Sequence, residues 1–386
     1  MKVVGLILEA NPFHNGHQYL FNKVKAMFND ATIICVTSTS FTMRGEPSIL
    51  NKFDKIETIL NAGGDIIMEL PINYTLQSAD YFAWATVSIL NKMGVTDIVI
   101  GSEITDIDKF AELYKEINSS EYNIHFKKIA KDGKSHKHSF SETLSIRGYS
   151  PDEIAKFNEP NFTLGFQYYR TIQDQNLKIQ LHLIERTCNY YQKEATSETI
   201  ASASYLRELY QKGLKIDNFI PYKPHFSNLT AIENNLMKII TFQSLKFPFE
   251  DPFDKINGNT EGIGNYILKN GDFTSTYQVL LDSLKNKRYS ISRIRRIIIS
   301  LLLGIEKTTT DSLDYLRIIG IDNKGIKYLN SLPKETKNLI FSSPNELKRI
   351  NQSIYYEILA TKLYGLLAEI PNLYLNEYKL PIRKKE

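Results

Sequence analysis

The chain has 386 residues, 42% hydrophobic and 23% charged, with a formal net charge of +4 at pH 7. That length suggests two or three domains, and that composition is ordinary for a soluble globular protein. No run of eighteen apolar residues occurs, so no membrane span is expected. The first apolar run stops at Leu8, unlike a signal peptide, and only Cys35 and Cys188 are present, so a reducing cytoplasm is the expected compartment.

The first half alternates strands with helices. "KVVGLIL" at 2–8 reads as a buried strand and "HQYLFNKVKAMFN" at 17–29 as an amphipathic helix. "TIICVT" at 32–37 is the next strand, and "KFDKIETILNAG" is a helix that stops at Gly63 and Gly64. "DIIMEL" is a strand ended by Pro71. "ADYFAWATVSILNKMG" is a helix, and "TDIVIGS" a strand ending at Ser102. This order implies a doubly wound parallel sheet with helices on both faces, its strands apolar throughout because both faces are covered.

Residues 105–160 are more polar and helix-like, and "KKIAKDGKSHKH" at 127–138 puts five lysines and two histidines among them. "KIQLHLIE" at 178–185 is a further strand. "SASYLRELYQKG" comes next as a helix that Gly213 closes. Beyond about residue 215 the alternation ends, and "AIENNLMKIITFQSL", "GIGNYILKN", "TSTYQVLLDSLKN" and "ISRIRRIIISLLLGI" all fit helices. The expected division is therefore an α/β domain over 1–214 and a mainly helical domain over 215–386. In the latter, "KNKRYSISRIRR" at 285–296 carries six basic residues and no acid. Such a stretch is a solvated face or a phosphate-contacting patch.

The chain has no GxGxxG after its first strand and no GxxxxGK[ST]. The first strand runs instead into "NPFHNGH", residues 11–17. In an open parallel sheet, ligands sit at the carboxyl ends of strands. Gly16 lets backbone approach a ligand closely, and the free N–H groups of the next helix, starting near Gly16 or His17, form an anion site. The imidazoles of His14 and His17 can then donate to phosphate oxygens, where charge builds during attack at an α-phosphorus. Ser202 and Ser204, at a second expected helix start, with Arg207 one turn in, are either plain caps or a grip for the outer phosphates of a triphosphate.

His-x-Gly-His followed by Ser-x-Ser-x-x-Arg on a doubly wound sheet resembles the Rossmann-like nucleotidyltransferases of the HxGH type. "GLILEANPFHNGHQYL", "RGEPSIL", "DIIMELP", "IGSE", "PNFTLGFQY", "IER", "IASASYLR" and "NKRYSISRIRR" resemble, more narrowly, the bacterial tRNA(Met) cytidine acetate ligases. The resemblance covers nearly the whole chain and weakens between 215 and 280. It implies that ATP and acetate form acetyladenylate with release of pyrophosphate. The wobble cytidine of elongator tRNA(Met), position 34, then takes the acetyl group on N4, leaving AMP. Magnesium is expected with the ATP, with no dedicated protein site.

Catalysis is expected of His14, His17 and Arg207, and phosphate binding of Ser202 and Ser204, on the residues themselves. The resemblance implies ATP binding by Ile7, Leu8, Glu9, Ala10, Asn11, Pro12, Phe13, His14, Asn15, Gly16, His17, Gln18, Tyr19 and Leu20, and further along by Gly101, Asn161, Arg186 and Thr187. On the residues alone, Gly101 leaves room for the nucleoside at a strand end or is an ordinary strand-end turn, Asn161 reads a base edge from a polar loop or caps a helix after Pro160, and Arg186 pairs with phosphate on the same rim or sits in a surface salt bridge. Lys285, Lys287, Arg288, Arg293, Arg295 and Arg296 are expected to contact tRNA phosphates, with Tyr289 available for stacking. The chain departs from the family at "NYYQ", 189–192, and at Phe162 after Asn161. No general base stands out. Glu9, Lys23 and Arg44 lie near the loop in sequence. Two other readings stay open: a small-molecule adenylyltransferase of the phosphopantetheine or nicotinamide mononucleotide type, and a non-catalytic RNA-binding protein with a nucleotide pocket.

Overall fold

The computed structural model describes residues 2–131, 135–186, 195–222, 225–247, 251–307, 313, 315–345 and 353–384. The first half runs β1 (Val3–Leu8), α1 (Asn15–Met27), β2 (Thr32–Thr37), α2 (Lys52–Ala62), β3 (Ile66–Glu69), α3 (Ile72–Thr75), α4 (Ala79–Lys92) and β4 (Asp97–Ser102). Five helices come after it: α5 (Ile107–Ile117), α6 (Ser120–Ala130), α7 (His136–Ile146), α8 (Pro151–Phe157) and α9 (Pro160–Asp174). Then come β5 (Gln180–Glu185) and α10 (Ala203–Gln211). The rest comprises α11 (Leu229–Ser244), α12 (Ile263–Asn270), α13 (Tyr277–Ser283), α14 (Ile291–Leu303), β6 (Leu316–Ile321), α15 (Asn323–Ser331), α16 (Lys334–Leu339), β7 (Ile340–Phe341), α17 (Ser353–Leu367) and β8 (Ile382–Arg383).

The strands lie in the order β5-β4-β1-β2-β3-β6-β7, with β8 against β6. Pairing is parallel from β5 to β3 and antiparallel between β3 and β6. Side chains alternate between two apolar layers, as a pleated strand requires. Val4, Leu6 and Leu8 pack with Phe21, Val24 and Ile59 on one face. Val3 packs with Phe82, Leu90, Tyr168 and Ile172 on the other. Local signals set the helix ends. In α2, Asn51 accepts the Phe53 and Asp54 amides and Gly63, at φ 116°, closes the helix in the left-handed region.

The expected helical region at 215–386 differs in one respect. Its helices α11–α14 and α17 do form a core of their own, sealed by Phe41, Ile72 and Leu76 from the first half. Yet β6 enters the main sheet beside β3, so this region is continuous with the sheet. A buried ion cluster fixes that insertion. Arg317 on β6 reaches Glu69 at 2.6 Å and Glu377 at 2.7 Å, while Lys52 reaches Glu377 at 2.8 Å. Among the described residues no helix is long and apolar enough to cross a membrane.

Chain order runs outward from β1 in both directions, to β2 and β3 on one side and to β4 and β5 on the other. The crevice of such a sheet opens at the carboxyl ends of its two central strands, here β1 and β4.

Candidate active site

The turn after β1 enters that crevice. Ala10 takes φ 47°, a left-handed turn tolerable for a small side chain. Asn11 is buried and its Oδ1 accepts the Ile49 amide at 2.8 Å, which anchors the turn to the segment before α2. From below, the buried Lys55 ammonium donates to the carbonyls of Glu9, Ser38 and Thr39 at 2.9, 3.1 and 3.0 Å, tying the turns after β1 and β2 together. Burial pulls the pKa of Lys55 down to about 7.

Helix α1 starts at Asn15, one or two residues ahead of the expected start at Gly16 or His17, because the histidines themselves cap it. Nδ1 of His14 accepts the Gly16 amide at 3.0 Å, and Nδ1 of His17 accepts the His14 amide at 3.2 Å. The rings lie 4.0 Å apart, and Phe13 stacks on His17 at 5.1 Å. An Nδ1 that accepts a backbone N–H carries no proton, so each neutral ring holds its proton on Nε2. Burial, the neighbouring His17 and then Arg186 lower the His14 pKa well below its ordinary value. Burial, then Arg186 and Lys55, bring His17 to about 3. At neutral pH the pair therefore offers two uncharged Nε2–H donors on the cleft wall.

A second helix start faces the first. Ser202 caps α10 by accepting the Tyr205 amide at 3.2 Å, and its hydroxyl lies 3.1 Å from that of Ser204. Asn15 links the two helix starts by donating to the carbonyls of Thr199 and Asn218, each at 2.9 Å. One turn into α10, Arg207 donates to the Asn11 carbonyl at 2.6 Å and to Glu46 at 3.3 Å.

On the β4 side, Arg186 donates to Asn161 Oδ1 at 3.0 Å, Asn161 donates to Glu103 at 2.5 Å, and Glu103 also accepts the Phe162 amide at 2.7 Å. Asn161 thus lies in the first turn of α9, not in a loop as expected. A Cβ on Gly101 would come within 3.3 Å of Arg186 Cγ, so the glycine sets how closely that arginine lies over the strand end.

One cleft is lined by Ile7, Leu8, Glu9, Ala10, Asn11, His14, Gly16, His17, Tyr19, Leu20, Gly101, Asn161, Arg186, Ser202 and Arg207. Other sequence candidates lie elsewhere. Pro12 and Phe13 are buried, Asn15 bonds to the carbonyls of Thr199 and Asn218, Gln18 is occupied by Asn22, and the Ser204 hydroxyl lies against that of Ser202. Thr187 and the departure at 189–192 lie outside the described residues. Lys23 is exposed with its ammonium over the Tyr19 ring at 5.3 Å, and Glu9 accepts the Met43 amide at 2.6 Å. The cleft also takes Thr42, Arg44 and Glu46 from the turn after β2, and an apolar floor of Phe82, Ile100, Leu164, Tyr168 and Ile184. Glu103, missed by sequence reasoning, had one signal: an acid directly after a strand end.

The basic stretch 285–296 divides. Lys285, Lys287 and Arg288 are exposed. Arg293 pairs with Glu261 at 2.8 Å, Arg295 with Glu46 at 2.5 Å, and Arg296 donates to the Met43 carbonyl at 3.2 Å. Tyr289 donates to the Glu261 carbonyl, and Arg288 and Arg293 lie over its ring at 5.2 and 5.4 Å, so the ring is already covered and offers no stacking platform. Helical spacing turns Arg295 and Arg296 inward, against the 42–46 turn, whereas a uniform basic face was expected.

Chemically, the cleft pairs an apolar floor with two helix N-termini, two neutral donors and the guanidinium groups of Arg44, Arg186 and Arg207, an arrangement matched to a nucleoside polyphosphate. A model of the HIGH Nucleotidyl Transferase family matches residues 1–377. The tRNA(Met) cytidine acetate ligase of Oceanobacillus iheyensis is 32% identical, over 94% of this chain and 96% of the relative. That of Fusobacterium nucleatum is 30% identical, over 100% and 99%. In three dimensions the chain resembles Thermotoga maritima TmcAL bound with alpha-thio ATP, with TM-score 0.83, 25% identity and full coverage of both chains.

Proposed function

The chain belongs to the tRNA(Met) cytidine acetate ligase family of HIGH nucleotidyl transferases, and from that premise we propose how its cleft carries out ATP-dependent acetylation of the tRNA(Met) wobble cytidine. An acetate oxygen attacks the α-phosphorus of ATP, the bond to the β-phosphate bridging oxygen breaks, and pyrophosphate leaves. The cytidine N4 amine then attacks the acetyl carbonyl. A C–N bond forms, the acyl–O bond to AMP breaks, and the amine gives up one proton.

His14 and His17 donate through Nε2 to oxygens of the α-phosphate as their charge grows. Their neutrality suits this role, because they stabilise developing charge without binding the ground-state triphosphate as cations would. Arg207 and the Ser202 end of α10 hold the β- and γ-phosphates and neutralise the leaving pyrophosphate. Arg186 and Asn161 orient the nucleoside over the apolar floor. Magnesium comes with the nucleotide. The nucleotide's own phosphates would supply its ligands. Lys285, Lys287 and Arg288 form the exposed basic surface for tRNA phosphates, and the cytoplasm is the working compartment.

The observation that carries this reading is the joining of the neutral histidine pair and Arg207 at one crevice, in a chain aligned end to end with these ligases. The test is incubation with ATP, labelled acetate and bacterial tRNA, followed by nucleoside analysis. Labelled N4-acetylcytidine and acetate-dependent ATP–pyrophosphate exchange are expected. Exchange that ignores acetate, or labelled acetate absent from the cytidine fraction, overturns it.

A further inference from the structure

Helix α9 stands between two cavities. Asn161, Leu164 and Tyr168 line the nucleotide cleft, and Thr163, Phe166, Gln167 and Arg170 line a second cavity. The two sets repeat at helical spacing on different faces. The far side of the second cavity is built by α5–α8, which have no part in the chemistry of the cleft.

Its walls are aromatic. Tyr122 and Phe126 stack at 5.8 Å with an interplanar angle of 18°, and Phe162 and Phe166 lie at 6.1 Å and 11°. Amide groups of Asn118, Asn123, Asn158 and Gln167 also reach it. Arg170 and the exposed Lys137 supply cations there, Arg170 pairing with Asp174 at 3.3 Å. Exposed Lys127, Lys128 and Lys131 follow the lining residue Phe126 along the end of α6. Protein interiors close gaps between apolar side chains. An aromatic cavity supplied with amides and cations instead matches a ligand with a flat face, hydrogen-bonding edges and an attached negative charge.

We propose that this cavity receives an unpaired nucleobase of the tRNA substrate, its flanking phosphates lying on the α6 lysines. The proposal rests on the reading of the chain as a tRNA-acetylating ligase. Single-stranded RNA loops are recognised by splayed bases stacked on aromatic rings, with amides reading their edges and cations on their phosphates. One helix, about 10 Å across, separates the cavity from the cleft, so the base belongs to the same loop as the acetylated cytidine.

The test uses the full-length protein with Gln167→Trp, which fills the cavity mouth, and Phe126→Ala, which removes a stacking wall. Acetate-dependent ATP–pyrophosphate exchange needs no tRNA and is expected to be unchanged. The KM for tRNA is expected to rise about tenfold in each variant. An unchanged tRNA KM in Gln167→Trp, with exchange intact, overturns the proposal and leaves the cavity to another ligand. Ultraviolet crosslinking of wild-type protein to tRNA reads the same point without a variant. Crosslinks in the Phe126 or Phe166 peptides support it, and crosslinks confined to other peptides overturn it. Failure of the functional reading itself has a different signature: wild-type protein then makes no N4-acetylcytidine at all.

Discussion

Arg207 and Arg295 hold opposite oxygens of one carboxylate, that of Glu46: Arg207 lies 3.3 Å from Oε2 and Arg295 2.5 Å from Oε1. One arginine comes from α10 at the cleft and the other from α14, 88 positions further along the sequence. Arg295 is therefore a positioning residue for Arg207. Arg295→Ala is expected to lower acetate-dependent exchange about fivefold, the rate equivalent of ~1 kcal/mol for a partly exposed ion pair. The KM for tRNA is expected to stay the same. A variant that raises the tRNA KM and leaves exchange untouched would place Arg295 on the RNA surface instead.

The histidine pair gives a rate prediction and a pH prediction. His17→Ala removes one donor to the reacting phosphate and is expected to cost about 10²–10³ in exchange rate. The wild-type exchange rate owes no pH limb to His17 between about pH 5 and 8, since that ring is already neutral there. Stability behaves differently. The folded-state pKa values lie below the unfolded one, so the unfolded chain binds protons first as pH falls. The stability linked to His17 is complete above about pH 6.5 and drains away as pH falls toward about 3. Melting temperatures across that window should fall more steeply in wild type than in His17→Ala.

Glu377 is the hinge of the buried ion cluster. Burial pushes its carboxyl up, but Lys52 and then Arg317 outweigh burial and hold it at about 2. Glu377→Gln leaves two buried cations short of one anion and is expected to cost about 3–5 kcal/mol in denaturant unfolding. The stabilisation from this ionised group is present above the ordinary glutamate range and is lost as pH falls toward about 2. A loss below ~1 kcal/mol would show that the cluster is better solvated than its burial implies.

Lys287 and Arg288 are exposed at the start of the basic stretch. Charge reversal at both is expected to weaken tRNA binding and to flatten its dependence on salt by about two ion equivalents. Acetyladenylate formation should be untouched. Filter binding across a salt series, read beside pyrophosphate exchange, checks both halves. An unchanged salt slope places the RNA elsewhere.

Much of the catalytic half was legible because its signals are local. The strands are short apolar runs, α2 carries its own Asn cap and Gly stop, and the crevice comes directly from strand order. The His14 and His17 spacing pointed to phosphate chemistry before any neighbour was known. β6 was not legible. "LRIIGI" is six buried residues without a period, and its partner β3 lies about 250 positions earlier, so nothing local separates it from a helix. The basic stretch misled for a related reason. Composition counts charges and does not record which side of α14 carries them.

By itself the sequence determined the element types of the first half, the place of the crevice and the residue types gathered at it, because period, caps and strand ends are read from near neighbours. Only the tertiary structure decided the rest. It turned Arg295 and Arg296 inward, joined Glu103 to Asn161 and Arg186, made the histidines neutral Nε2 donors, and opened an aromatic cavity behind α9. Each of these depends on burial and on contacts between distant positions, and both exist only once the chain has packed.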